Sequence, residues 1–431
     1  MAEADAATPR FVHLHLHTEY SLLDGGNTIK RLLERVKACG MDAVAVTDHG
    51  NLHAAVEFYN KAREAGIKPI VGIEAYVALG DRRERVRTGI ADGGFHLVLL
   101  AENQRGWRNL LKLSSDAYLN GFYYKPRMDK STLEQFRGGL IAINGHLGSS
   151  LAHHLTLFER TGRQEHWDDA VAEARWHQEV FGPNEQGEPC FFIELQRHSV
   201  QEQHAINPLL VRLAREIDAP LVCDNDAHFT TAEDWDAHDS LCCISMGKTK
   251  DDPDRLHYPR DLYVKSPEEM AEAFADLPEA IENTARIADR CDVTIDFDAN
   301  HAPVVRVVSG FGELPADPAE ARAMIEAWPC PHPLGSTEWF KAFCGEFALE
   351  PFDEEKDTET TEELKEQCDR ALRMLSEAGA IWRYGPGGVD EQKRARLERE
   401  LQVLADKLIS AYFLIVWDFV NWARQNGIPS N

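Results

Sequence analysis

The chain has 431 residues, 43% of them hydrophobic, with 46 Lys and Arg against 72 Asp and Glu and a formal net charge of -26. That length exceeds one ordinary domain and accommodates a barrel of about 250 residues plus a second unit. The acidic balance argues against a surface that coats nucleic acid, which needs clustered Lys and Arg, but leaves room for a nuclease cleft in which bound cations supply the positive charge.

No apolar run approaches the ~20 residues that span a bilayer, and the first ten residues lack the charged start and apolar core of a secretory leader, so a cytoplasmic chain with no membrane segment is expected. The nine cysteines are scattered, which predicts free thiols and not a disulfide frame or an all-cysteine zinc site. Near the N-terminus stands Phe11-Val-His-Leu-His-Leu-His-Thr18. Read as a strand, it puts His13, His15 and His17 on one face and Val12, Leu14 and Leu16 on the other. Imidazoles on an apolar strand are costly unless something binds them, and His-x-His at a strand end suits Zn, Mn or Fe.

Onward to about residue 230, short β-branched runs alternate with amphipathic helical runs. Strands are expected at 11–17, Ala43–Thr47, Lys68–Val77, His96–Ala101, Leu140–Asn144, Cys190–Gln196 and Pro220–Asn225. Helices are expected at Thr28–Cys39, Leu52–Ala65, Trp107–Leu119, Trp167–Val180 and Gln201–Ile217. This rhythm predicts parallel βαβ units in a closed or nearly closed barrel, with an open doubly wound sheet as the alternative. In either fold the chemistry belongs at the C-terminal strand ends. Further on, helices are expected at Glu233–Met246, Ser266–Ala275 and Pro278–Cys291, with a short strand at Leu262–Val264. From Asp296 to Thr361 the chain is rich in Pro and Gly and then acidic, as in Asp353-Glu-Glu-Lys-Asp357, which predicts a boundary and a solvated connector. Glu391–Ile409 reads as a charged helix, and Tyr412, Phe413, Val416, Phe419, Val420 and Ala423 repeat at helical spacing as an expected core stripe. The stop soon after Gly427 is the expected mark of a truncated fragment.

The titratable residues gather near the expected strand ends: His15 and His17, Asp24 in the following turn, His49, Glu74, His96, His146, and Asp226 with His228. Asp24 alone serves equally well as a turn or cap residue, whereas a buried Glu74 asks for a cation partner. Nine N and O donors exceed the four that one zinc takes, so a cluster of two or three divalent ions with a bridging carboxylate is expected. Phosphoester hydrolysis is the leading reaction class, and amide or lactam hydrolysis at a binuclear barrel site the competing one.

His15-Leu-His17-Thr18, Leu23-Asp-Gly25, Thr47-Asp-His49-Gly50, Gly72-Ile-Glu74 and Asn225-Asp-Ala-His228 together resemble the polymerase and histidinol phosphatase (PHP) family. Asp48-His-Gly-Asn-Leu52, Ala55-Val-Glu-Phe-Tyr59, Gly66-Ile-Lys-Pro69, Gly121-Phe-Tyr-Tyr-Lys-Pro-Arg127, Asp261–Met270 and Ala411-Tyr-Phe-Leu-Ile415 resemble more narrowly the N-terminal part of bacterial replicative DNA polymerase III alpha subunits. The resemblance implies an α/β fold: a distorted seven-stranded β/α barrel of PHP type at 9–292, then a mostly helical, truncated polymerase segment. Within that segment, 293–380 would be a connector and the start of the palm region, and 381–431 its helical continuation. It also implies metal-ligand roles for His15, His17, Asp24, His49, Glu74, His96, His146, Asp226 and His228, with His13 structural. Lys125 and Arg127 match a family segment, where phosphate contact and a surface ion pair are the alternatives.

The implied activity is a metal-dependent 3'-5' exonuclease that proofreads the primer 3' end of DNA, alongside other subunits of the replicative holoenzyme. The palm carboxylate triad is absent, and Ser430-Asn431 depart from the loop that precedes it, so polymerisation by this chain is not expected. The competing readings are a structural, metal-stabilised PHP domain that docks a separate exonuclease, and a small-molecule phosphatase.

Overall fold

A computed structural model of the chain describes residues 9–90, 93–297, 303–352 and 358–429. The acidic run 353–357 and the terminal 430–431 lie outside the described residues. The chain divides into two compact units, Met1–Ile295 and Asp296–Asn431.

In the first unit the apolar runs form β1 (Ala43–Val46), β2 (Lys68–Val77), β3 (Phe95–Ala101), β4 (Arg127–Met128), β5 (Leu140–Asn144), β6 (Phe191–Gln196) and β7 (Leu221–Asp224). They build one curled sheet in the order β1-β2-β3-β5-β6-β7, with β4 beside β2. Its strands are buried along almost their whole length, as expected where helices cover a sheet. The expected helices form at Ile29–Ala38, Ala55–Glu64, Gln104–Leu119, Gln164–Phe181 and Gln201–Ile217. Thr28 begins the first by accepting the Arg31 N–H, and Gly40 at φ +69° ends it. Two further helices, Lys130–Phe136 and Ser150–Thr161, had no clear signal in the sequence. The expected strand at 262–264 is reduced to a single bridge between Phe229 and Tyr263.

One strand runs against the expected parallel arrangement. β3 is antiparallel to both β2 and β5, while the remaining pairs are parallel. A parallel return needs a crossover of a dozen or more residues, usually helical. The β2–β3 connection holds no α-helix among its described residues, so the chain simply turns back.

The N-terminal segment also departs from expectation: 11–17 is extended but forms no regular strand. Its carbonyls still pair with β1, since Ala45 N–H donates to His13 O (2.8 Å) and Thr47 N–H to Leu16 O (2.9 Å). Its own N–H groups go mostly to side chains. Asp224 Oδ2 accepts from Leu14 (2.5 Å) and His15 (3.0 Å), Thr47 Oγ1 from Leu16 (2.9 Å), and Asp48 Oδ1 from Thr18 (2.7 Å). His17 N–H then reaches Ala227 O at 3.0 Å. The segment therefore lies between β1 and the end of β7 and joins the two sheet edges, which makes the barrel distorted.

In the second unit β8 (Val305–Ser309) pairs antiparallel with β9 (Phe347–Pro351), and helices form at Pro318–Ala327, Thr337–Cys344, Thr361–Tyr384, Glu391–Asp406 and Ser410–Gln425. The stretch expected as a solvated connector thus supplies Val307, Leu314, Ile325, Trp339, Phe343 and Phe347 to a core of its own. Its Pro and Gly residues punctuate short elements instead of marking a linker. The last helix forms, but with a different face inward: Ala411 and Leu414 are buried, while Tyr412, Phe413, Val416 and Phe419 are 40–64% exposed. Periodicity gives a helix's stripe but not its partner. Here the core formed with Leu372, Leu375 and Ala378 selects the adjoining stripe. No helix of the described residues is long and apolar enough to cross a membrane.

Because one carboxylate holds two backbone N–H groups of the joining segment, Asp224→Ala should destabilise the first unit by about 3 kcal/mol or more. Asp224→Asn, which keeps one acceptor oxygen, should lose less. Urea denaturation followed by tryptophan fluorescence measures both, and equal stability of all three proteins would contradict this anchoring role.

Candidate metal centre

Each functional side chain is placed by a strand end. His15 and His17 come from the joining segment, Asp24 from the turn after it, His49 from just beyond β1, and Glu74 from within β2. His146 follows β5, and Asp226 and His228 follow β7. His96 lies near the start of β3, the wrong end for a parallel strand. Because β3 runs backwards, with His96 in register with Tyr76, its start meets the other strands' C-terminal ends.

The nine residues converge around Glu74, whose carboxylate is 1% exposed. Its Oε1 lies 2.8 Å from His146 Nε2, 2.9 Å from His96 Nδ1 and 3.6 Å from His15 Nε2. Its Oε2 lies 2.5 Å from His49 Nδ1 and 3.3 Å from His17 Nε2. Asp226 Oδ1 approaches His17 Nε2 at 3.1 Å and His15 Nε2 at 3.3 Å, and Asp24 Oδ2 lies 2.8 Å from His49 Nε2 and 3.7 Å from His228 Nε2. His13 stands apart, bonded to Lys265 O (3.0 Å) and Asp224 Oδ1 (3.3 Å).

These contacts are close but poorly aligned. His15 Nε2, His17 Nε2, His49 Nδ1, both His146 nitrogens, His228 Nε2, Glu74 Oε2 and Asp226 Oδ1 are buried without an aligned hydrogen bond. Unsatisfied buried polar atoms are costly and uncommon. Their concentration at one point, with lone pairs aimed inward, is the chemistry of a cation site. The overlapping sets His15–Glu74–His146, His15–His17–Asp226, His49–Glu74–His96 and His17–His49–His228 each hold their donor atoms within 4.8 Å. Glu74 belongs to two of them, and nitrogen and oxygen donors of this kind suit divalent cations.

The charges of the cluster are divided unevenly among its side chains. Burial raises the Glu74 carboxyl pKa, but His49 and His96 outweigh it and hold the group well below its ordinary range. Burial, reinforced by neighbouring His49 and His228, pushes His17 down to about 3. Burial alone would do the same to His15, yet Asp226 and Glu194 hold that imidazole well above its usual value.

A second ring of residues sets the tautomers. His228 Nδ1 lies 2.8 Å from Asp226 O, and since a carbonyl only accepts, Nδ1 carries the proton and Nε2 presents its lone pair. Asp226 adopts φ +48°, a left-handed conformation that Asp tolerates better than most residues and that gathers at functional sites. Ser21 Oγ meets His17 Nδ1 at 2.9 Å while donating to Asp48 Oδ1 at 2.7 Å.

Glu194 in β6, fully buried, takes His15 Nδ1 at 3.0 Å and stands 3.4 Å from His146 Nδ1. Sequence reasoning passed over Glu194 although Phe191-Phe-Ile-Glu194-Leu carries the signal that marked Glu74, a carboxylate inside an apolar strand. It also passed over His238, whose Nε2 lies 2.6 Å from Asp24 O, and Tyr258, whose ring packs 4.9 Å from that of His228.

Asp24, His49, Tyr76, Lys125 and Tyr258 line a cleft of about 460 Å³ that opens this cluster to the surface. Lys125 Nζ sits 3.1 Å from Tyr76 Oη at its wall. Arg127 does not line the cleft. Its guanidinium is buried and donates to the carbonyls of Gly121 (3.1 Å), Arg82 (2.8 Å) and Glu84 (2.8 Å), a structural use that accounts for its position without any phosphate.

The PHP domain family matches residues 13–198, and the family described as "Bacterial DNA polymerase III alpha NTPase domain" matches 370–431. "DNA polymerase III subunit alpha" of Borreliella burgdorferi is 37% identical across 97% of the chain, and that of Thermus aquaticus 39% identical across 97%. Along almost its whole length the chain is similar to bacterial DNA polymerase III alpha subunits. It spans about a third of these relatives, 31% and 34% of their lengths. A solved structure titled as a putative metal-dependent phosphoesterase from Bifidobacterium adolescentis aligns with 62% of the chain and 96% of its own length, at 15% identity and a TM-score of 0.31.

Within the PHP domain, Glu194 should act on cations only through the imidazoles it orients. Glu194→Gln is expected to weaken metal affinity by about 10–100-fold while leaving the domain folded. Chelator competition followed by elemental analysis measures this, and an unchanged affinity would show that the imidazoles need no such support.

Proposed function

We propose that this chain is the N-terminal portion of a replicative DNA polymerase whose PHP domain is a metal-dependent 3'-5' exonuclease acting on the primer end of DNA. The buried, unaligned donor cluster around Glu74 carries this reading. All nine expected ligand positions, His15, His17, Asp24, His49, Glu74, His96, His146, Asp226 and His228, hold residues able to bind a cation, and two or three Zn, Mn or Fe ions suit them. Bound divalent ions would supply Lewis acidity toward a phosphodiester and lower the pKa of a water. The chain itself contributes the rest. Asp24 and His49 face the cleft by which a strand would enter, Lys125 supplies a cation at its wall, and Glu194 and Ser21 hold His15 and His17 in place. With a formal net charge of -26 the chain is poorly suited to coat DNA, so DNA would be held locally at the cluster.

In the same reading, residues 9–292 are the PHP domain, 293–380 are a connector and the start of the palm region, and 381–431 are the helical start of the palm, truncated. The setting would be the cytoplasm, with the other holoenzyme subunits as partners.

Purified chain loaded with Mn²⁺ or Zn²⁺ should release nucleotides from a 3'-mismatched primer-template. EDTA should abolish release, and Asp226→Asn should lower it by about 100-fold or more, since it removes the negative charge from the carboxylate that His15 and His17 share. No release from protein proven by elemental analysis to hold its metals would instead support a structural, metal-stabilised domain. Turnover of small phosphomonoesters but not DNA would favour a small-molecule phosphatase.

A further inference from the structure

The cleft over the candidate metal centre has an unusual rim. Tyr118 (41%), Phe122 (48%) and Tyr124 (71%) expose their rings on one lip, and Leu22 (76%), Leu23 (46%) and Leu256 (60%) are exposed around the rest. Single exposed apolar side chains are ordinary, but a contiguous group around one opening marks a binding surface. The rings are also arranged: Tyr118 and Phe122 stack at 6.1 Å with 27° between planes, and Tyr123 packs edge-on against Tyr124 at 4.7 Å.

Two loops hold this rim in conformations that side chains resist. Leu23 has φ +60° and Tyr124 φ +62°, both left-handed and both on bulky residues without the local hydrogen-bonding excuse of Asn or Asp. The Tyr124 turn is closed by Tyr123 N–H donating to Lys125 O at 3.1 Å. Such strain gathers where a loop is shaped for a ligand. Between the lips lie Asp24 and His49 of the donor cluster, with the Lys125 ammonium close to the Tyr76 hydroxyl.

We infer that the Tyr118, Phe122 and Tyr124 rings are a stacking platform for unpaired bases at a DNA 3' end, holding the terminal phosphodiester over Asp24 and His49. This rests on the exonuclease reading above for its substrate. Flat rings beside the Lys125 ammonium suit nucleobases and a phosphate better than a protein partner, because every base offers a π face and the backbone needs only a local charge. Bases in a duplex have their faces covered, so the platform takes only nucleotides that have left the helix. Selectivity for a mismatched primer then comes from fraying and not from reading the base, and all four bases are accepted.

The test separates binding from cleavage by using the full chain carrying Asp226→Asn. A single-stranded oligonucleotide with 2-aminopurine at its 3' end reports stacking by fluorescence quenching. Phe122→Ala and Tyr124→Asn should each weaken its binding by about 5–150-fold, the range for loss of one base–aromatic stack, and should diminish the quenching. Phe122→Tyr and Tyr124→Phe, which keep the rings, should bind as the parent does and control for misfolding. An oligonucleotide with an abasic 3' residue should bind the parent as weakly as the intact one binds the ring-deleted variants. Unchanged affinity and quenching in those variants, or an abasic end that binds as well as an intact one, would overturn the inference. If the wild-type chain binds through its rings but releases no nucleotide, the exonuclease reading fails and the platform stands.

Discussion

A carboxylate sealed inside a sheet sets the terms for the first unit. Glu74 is 1% exposed, and five imidazoles approach its two oxygens. The desolvation of so many polar groups is tolerable only where charge is shared among them. Histidines lower the carboxylate's proton affinity, carboxylates raise that of His15, and burial lowers that of His17. A cluster balanced in this way is ready for cations.

That readiness depends on chain segments far apart in sequence arriving together. The joining segment is the weakest scaffold, since it lacks a regular ladder, and it is fixed by Asp224, Thr47 and Asp48 from the strands on either side. The same few residues that close the barrel therefore position His15 and His17. Stability and site geometry are not separable here, in contrast to a loop-borne site on an independent frame.

Much of this was legible in the sequence, for reasons that can be named. His15-Leu-His17, Asp226-Ala-His228 and a Glu within Ile73-Glu-Ala75 mark the donors because charged or imidazole side chains are rare in apolar strands. Six of the seven strands expected before residue 230 formed, since β-branched runs bounded by Gly-terminated helices leave few alternatives. What escaped depends on tertiary partners. The direction of β3 follows from the character of its connection, not from its own residues. The inward face of Ser410–Gln425 was set by the neighbouring helix, and the order within 305–351 by a small core of Trp and Phe residues spread over a Pro-rich stretch. Glu194 was missed because a strand with one carboxylate attracts notice only when another motif adjoins it.

The reversed β3 has a consequence for how such a protein can change. In a wholly parallel barrel every connection leaving the site end travels back along the outside as a helix, and its length is fixed by the scaffold. The link from β2 to β3 makes no such journey: it leaves and re-enters at the rim of the cluster. Chain can be added or removed there at small entropic cost, about 0.6 kcal/mol for each doubling of length, without disturbing the strands. Arg127, from the adjoining β4, clasps that link through the carbonyls of Arg82 and Glu84. Its guanidinium works as a tether on a hem that can otherwise be let out or taken in, so access to the cluster can be retailored by insertion or deletion while its donors stay where they are.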